Sequence, residues 1–237
     1  MKLITWNCQG AFRKKADIIL QQRPDILVVQ ECEHPDRLKF SATTPSPDNF
    51  YWYSDGGKKG IGLFSYSGFK FELLSEFNPT FRYILPFRVT GNGHSITLIA
   101  VWAMNNKENR RARYIGQVWL AINHYKDLIG KSTILIGDFN SNRIWDKKDG
   151  VGNHSDVVNR LAERGIHSVY HKYFNVEHGQ EDHPTFFLHR NKEKPYHIDY
   201  CFASADLYDK VASLELGTYE NWMSHSDHIP LEINLEI

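Results

Sequence analysis

The chain has 237 residues, with 28 Lys plus Arg against 28 Asp plus Glu, so its formal net charge is zero. That length can bury a sizeable core and, with no linker-like stretch, predicts one domain over 1–237; the charge balance excludes a generally basic nucleic-acid-coating protein and leaves such contacts to local patches. Cys8, Cys32 and Cys201 show no Cys-x-x-Cys spacing, against a disulfide framework or zinc ribbon, and no leader or membrane-length apolar run is visible, so a cytoplasmic protein without a membrane partner is expected.

Lys2 to Asn7 reads as a strand, Ala11 to Gln22 as a helix stopped before Pro24, and Ile26 to Gln30 as a strand buried on both faces. Phe40 to Tyr53, broken by Thr43-Thr44-Pro45-Ser46-Pro47, reads as a surface loop. The Gly-rich stretch Gly56 to Phe64 lacks the Gly-Lys-Ser/Thr ending of a phosphate loop and is read as a hairpin turn into a strand. Strands follow at Lys70 to Leu74, Arg82 to Thr90 and His94 to Met104, the last two joined by the turn Gly91-Asn92-Gly93. A basic loop, Lys107 to Arg113, leads to a helix from Tyr114 to Leu128 and a buried strand from Ser132 to Ile136. Then come a helix from Ser155 to Arg164 and strands at Thr185 to Leu188, His197 to Ala203, Val211 to Leu216 and Ile229 to Glu236. Meanders alternating with helices predict an α/β fold of two stacked sheets with helices outside each.

The polar residues at strand ends carry the chemistry. Glu31 stands where a run buried on both faces reaches the sheet rim, a suitable place for a hard oxygen ligand of Mg²⁺ or Mn²⁺; a solvated strand-end Glu is the plain alternative. Asn7 ends the neighbouring strand. In Gly137-Asp138-Phe139-Asn140, a carboxylate and an amide two residues apart share a face and can orient a water and bind phosphoryl oxygens, although an Asx-type turn has the same pattern. Asp199, among Tyr196, Ile198, Cys201 and Phe202, needs a buried partner, and His228 is the natural one. Adjacent Asp227 favours a nearby cation.

Trp6-Asn7, Gln30-Glu31, Gly137-Asp138-Phe139-Asn140, His197-Ile198-Asp199-Tyr200 and Ser226-Asp227-His228-x-Pro230 together resemble the ordered motifs of the endonuclease/exonuclease/phosphatase superfamily, which includes exonuclease III, AP endonucleases and DNase I. The resemblance spans nearly the whole chain. It implies a four-layer α-β-β-α sandwich of two mainly antiparallel sheets flanked by helices, and divalent-metal hydrolysis of phosphate esters. It further implies Glu31 as principal metal ligand with Asn7 and Asp227. Asp138 would act on the attacking water, Asn140 would hold the phosphate, and His228, oriented by Asp199, would contact the scissile phosphate; the proton falls to Asp138 or His228.

Two positions depart from the family pattern. Gln9 replaces an expected carboxylate, which weakens the metal side, and Trp102 stands where a Tyr or His is expected, with Asn105 beyond it. An indole donates one hydrogen bond but cannot accept a proton. Arg110, Arg111 and Arg113 after this strand form a candidate phosphate-tracking patch, or else the solvated start of a helix. Trp145 beside Lys147-Lys148 has the cation-plus-aromatic pattern of single-strand binding. Phe186, Tyr196 and Ile198 resemble residues lining the family's abasic-sugar pocket, though their alternation also describes ordinary strand core. Asn153 or Ser155 reads as a helix N-cap, with phosphate binding there as a second use. His167, His171, His178, His183 and His189 show no compact ligand pair with Cys or carboxylate support, which weighs against zinc.

The expectation is therefore a Mg²⁺- or Mn²⁺-dependent phosphodiesterase, foremost a DNA nuclease acting on nucleic acid with no obligate protein partner. The alternatives are a phosphatase or phosphodiesterase of small nucleotide or lipid esters, and a catalytically silent binding module.

Overall fold

β-branched and aromatic residues in short alternating runs build two six-stranded sheets in the computed structural model, which describes residues 1–148 and 150–237. The strands are β1 (Lys2–Asn7), β2 (Ile26–Cys32), β3 (Asn49–Tyr53), β4 (Gly60–Ser65), β5 (Lys70–Leu73), β6 (Ile84–Gly91), β7 (His94–Trp102), β8 (Thr133–Asp138), β9 (Ile166–Ser168), β10 (Phe186–Phe187), β11 (Pro195–Tyr196), β12 (Asp199–Ser204), β13 (Val211–Leu216) and β14 (Leu231–Leu235). The helices are α1 (Ala16–Leu20), α2 (Ile115–His124), α3 (His154–Ala162), α4 (Val169–Phe174), α5 (Ala205–Tyr208) and α6 (Tyr219–Trp222).

One sheet runs β13-β14-β1-β2-β4-β3 and the other β5-β6-β7-β8-β12-β9, while β10 and β11 form a separate short ribbon. Within the two large sheets, among the described residues, only β1 with β2 and β7 with β8 pair in parallel. The other strand neighbours are antiparallel, as expected.

Alternation along each strand divides the apolar residues into layers. Leu3, Val28, Leu98, Ala100, Ile134 and Ile136 face inward between the sheets. Ile4, Trp6, Leu27 and Val29 turn outward against Ile19 and Leu20 of α1 and Trp222 of α6. Val101, Leu135 and Phe202 turn outward against Val118 and Ile122 of α2 and Val157 and Leu161 of α3. The order is helices, sheet, sheet, helices, and each fully buried aliphatic side chain contributes about 1.5–3 kcal/mol to holding the layers. Cys8, Cys32 and Cys201 are buried free thiols.

The strands β9 and β11 and the short helices α4, α5 and α6 were not in the sequence reading, and three elements that were in it differ. Asn49 to Tyr53 is an edge strand rather than loop, because Phe50, Tyr51, Trp52 and Tyr53 pair with β4 once the proline-rich stretch has ended. The helix predicted over Ala11 to Gln22 is broken: Ala11 adopts a left-handed conformation (φ 53°), a 3-10 turn covers Phe12–Lys14, and α-helix exists only over Ala16–Leu20. Of the strand expected at Thr185 to Leu188, only Phe186–Phe187 pairs, with Pro195–Tyr196.

Candidate active site

The two sheets bring their polar strand ends together at one rim. Asn7 lies beside Gln30 in the β1/β2 register, and Asp138 lies opposite Asp199 in the β8/β12 register. Asn7 Nδ2 donates to Asp138 Oδ2 across the gap between the sheets at 2.9 Å, and Asn140 Nδ2 reaches the same oxygen at 3.0 Å. The Asn140 backbone N–H donates to Asp138 Oδ1 at 2.8 Å. Asp138 is therefore held by three donors and has no side-chain exposure.

Gly137 makes this arrangement sterically feasible. Its φ is +139°, and a Cβ there would sit 1.9 Å from the Val101 carbonyl oxygen and 2.9 Å from Gln30 Nε2. Gly137→Ala is expected to cost about 2–4 kcal/mol, from backbone strain plus overpacking, and to displace Asp138. Chemical denaturation and kcat of the purified variant check this; wild-type values in both would show that the backbone accommodates a methyl group.

Glu31 reaches the rim through a bulge. The β2/β4 register shifts between Val29 and Cys32, and Glu31 takes a left-handed conformation (φ 57°), which breaks the alternation and swings its carboxylate outward. Glu31 Oε1 lies 3.4 Å from Asn7 Nδ2, while Lys59 Nζ forms an ion pair with Oε2. Asp227, just before β14, accepts from Gln9 Nε2 at 2.7 Å, and Gln9 in turn accepts from Arg190. Gln9 thus occupies the place of the expected carboxylate as a clamp on Asp227. Burial pushes Asp227 above the usual carboxylate range, and the nearby negative charge of Glu31 adds to the push. Glu31 and Asp227 bring two carboxylates to this rim, a hard oxygen pair that a divalent cation would neutralise, so these two fit the predicted ion; Asn7 turns its Nδ2 to Glu31 and its Oδ1 to the Gln9 N–H, and would have to turn its amide over to offer an oxygen.

His228 is held between two carboxylates. Its Nδ1 bonds Asp199 Oδ2 at 2.9 Å, and its Nε2 lies 4.0 Å from Asp138 Oδ2. Thr185 Oγ1 accepts from the Asp199 N–H, and Ser226 Oγ accepts from the His228 N–H while donating to the Asn7 carbonyl. Burial opposes a charged imidazole, but Asp199 and then Asp138 override it and push His228 up to about 10. Burial raises Asp138 to about 7, against the pull of cationic His228. The pair is poised for proton transfer near neutrality, with His228 cationic.

The predicted substrate residues divide into two groups. Phe186 packs on the His228 ring at 4.7 Å between centroids, Tyr196 lies 6.4 Å from Phe186, and Trp145 lies 5.0 Å from Tyr196. Half-exposed Trp145 therefore begins an aromatic path that ends at the candidate catalytic imidazole. A cleft of about 500 Å³ joins Arg110, Arg111 and Arg113 to Asn140, Trp145 and Lys147, so the basic loop does border the site.

Trp102 is a register neighbour of Asp138, but its ring is nearly buried in the inter-sheet core against Tyr83 at 4.6 Å. Asn105 is exposed beyond it, and Ile198 is core. The start of α3 is not left open for phosphate: Asp146 accepts from the N–H groups of His154 and Ser155 at 2.8 and 2.9 Å. Asn153 is the N-cap, as one of the two readings had it.

Lys59, Arg190 and Thr185 were missed as site residues. Lys59 carries no local signal, since its partner is 28 residues away and is met only because the β2/β4 pairing folds the Gly56–Gly60 turn over the rim. The other two are likewise brought in by long-range packing.

The Endonuclease/Exonuclease/phosphatase family profile matches residues 4–228. No curated protein sequence matches the chain. Among solved structures, a 3' phosphatase from Neisseria bound to a product DNA hairpin superposes with TM-score 0.70 at 19% identity, covering 100% of both chains. An AP endonuclease from Archaeoglobus fulgidus gives 0.68 at 18%, again over 100% of both. The endonuclease domain of the telomere-specific retrotransposon TRAS1 gives 0.66 at 16%, over 99% of this chain and 97% of that one. At these identities the likeness establishes the shared fold.

Proposed function

The chain belongs to the Endonuclease/Exonuclease/phosphatase family, and from that membership we propose that it is a divalent-metal-dependent phosphodiesterase that cleaves DNA. The observation carrying the reading is the buried line Asp199–His228–Asp138, fastened to the opposite sheet by Asn7. A silent binding module has no physical need for a cationic imidazole between two buried carboxylates, because each buried charge costs solvation that only its partners return.

In this mechanism Asp138, fixed by Asn7 and Asn140, positions the attacking water and accepts its proton. His228, oriented by Asp199, donates to a non-bridging phosphoryl oxygen and stabilises the charge developing there. Asn140 places a second donor near the same phosphate. A divalent ion held by Glu31 and Asp227, and by Asn7 once its amide is turned over, would polarise the phosphoryl oxygen and offset leaving-group charge.

DNA is favoured over a small ester because an aromatic path reaches His228 while an arginine-bordered cleft reaches Asn140. The neighbouring structures include a 3' phosphatase, an AP endonuclease and a retrotransposon endonuclease, which all fit this substrate class. The test is a panel of labelled single-stranded, duplex and abasic-site DNA, RNA and small phosphodiesters, assayed with Mg²⁺ and Mn²⁺ against EDTA. Turnover confined to small esters would overturn the DNA reading. No turnover on any of them would overturn the enzyme reading.

The arginine loop provides an independent check. Reversing charge at Arg110, Arg111 and Arg113 is expected to raise KM on DNA by about tenfold or more at low salt and to flatten its salt dependence, since each lost phosphate contact releases fewer counterions. Unchanged KM and salt slope on DNA would remove the loop from the binding surface.

A further inference from the structure

Away from the rim, five histidines collect under β12. His171 Nε2 lies 2.9 Å from Glu181 Oε1, and the His171 and His178 rings stack at 3.5 Å between centroids. One ligand atom from each of His171, His178 and Glu181 falls within 4.8 Å of the others. His154 Nε2 lies 3.0 Å from His178 Nδ1, and His183 and His197 complete the group through a 2.7 Å bond from His197 Nδ1 to the His183 carbonyl. We propose that His171, His178 and Glu181 form a second metal site, selective for zinc-like ions and distinct from the Glu31 rim.

The donor chemistry decides the ion class. Two imidazoles and one carboxylate are a borderline nitrogen-oxygen set, which suits zinc and disfavours magnesium. A tetrahedral ion with bonds of about 2.0–2.1 Å holds its ligand atoms about 3.3 Å apart, so small inward or outward shifts of these three side chains suffice.

The surrounding hydrogen bonds have the form of a supporting shell. Ser168 Oγ bonds His171 Nδ1 at 2.7 Å and thereby aims Nε2 at the cluster. Glu181 is held by the Gly179 N–H at 2.9 Å and by Asn142 Nδ2 at 3.0 Å. Two buried imidazole nitrogens, His154 Nδ1 and His197 Nε2, have no hydrogen-bond partner among the described residues. Since His197 Nδ1 donates to a carbonyl, its Nε2 is a bare lone pair in the interior.

A cleft of about 380 Å³ opens onto Ser168, His171 and His178 and provides a route for an ion. Sequence spacing hid the site because the supporting carboxylate, Glu181, follows a turn that only the fold brings back onto His171. The ion would fasten the segment 177–184 beneath β12, whose first residue is Asp199.

The experiment uses tag-free, chelator-stripped protein titrated with Zn²⁺, or with Co²⁺ as a coloured probe, in excess Mg²⁺. One equivalent of zinc is expected, with a raised Tm and, for Co²⁺, the visible absorption of a four-coordinate ion. His171→Asn and Glu181→Gln should weaken zinc binding by about 100-fold, whereas Glu31→Gln should retain it. X-ray absorption of the zinc-loaded wild type should show imidazole scattering, a result independent of whether the variants fold. No tight zinc, zinc without imidazole ligands, or zinc lost with Glu31→Gln but kept by Glu181→Gln would each overturn the site.

Discussion

Asp199→Asn and His228→Ala are each expected to lower kcat by on the order of 10²–10⁴, with the double variant little worse than either. Asp199 acts only through His228: it bonds Nδ1 at 2.9 Å, fixes which nitrogen faces Asp138, and dominates the attractions that keep the ring charged. Removing either partner therefore removes the same oriented imidazolium. Single-turnover kinetics on the best substrate of the panel measure the effect, with thermal unfolding to confirm the fold, since His228→Ala leaves Asp199 buried without its counter-charge. Losses that multiply in the double variant would mean that the two residues act separately.

The same geometry sets a pH profile. Asp138 must be a carboxylate to take a proton, and burial raises it to about 7, so kcat/KM should rise as pH climbs through that value. His228 must be cationic, and it stays so up to about 10, so the alkaline limb should fall only there. An acid limb at the ordinary carboxylate position near 4 would show that Asp138 is not the proton acceptor.

Glu31→Gln should weaken the apparent affinity for Mg²⁺ or Mn²⁺ by about 100-fold while leaving Tm nearly unchanged. The separation of effects follows from placement. Glu31 sits at the rim on a bulge, its partner Lys59 is about half exposed, and an amide can keep the 3.4 Å contact with Asn7. Titrating metal against initial rate, with EDTA as the zero, makes the measurement. Full wild-type activity in EDTA would sink both the ligand assignment and the metal-dependent mechanism.

Much of this site was legible in the sequence because a strand buried on both faces most readily places a charged residue at its end, where it reaches solvent. Asn7, Glu31, Asp138 and Asp199 each follow or begin such a run, and the parallel and antiparallel registers of β1/β2 and β8/β12 bring those ends to one rim. The order of motifs and the alternation of meanders with helices were enough to indicate two stacked sheets.

Other features depended on contacts that no local pattern encodes. The bulge that re-aims Glu31, the Lys59 and Gln9–Arg190 clamps, and the burial of Trp102 against Tyr83 arise from pairings between segments far apart in the chain. Trp102 illustrates the difference. Its level beside Asp138 was predictable from strand position, yet the depth of its ring depends on how the opposing sheet packs. Sequence determined which residues reach the rim, because side-chain alternation and strand ends are local properties. Tertiary structure decided which of them touch, because a hydrogen bond such as Asn7 to Asp138 spans 131 residues and forms only when two independently patterned sheets close on each other.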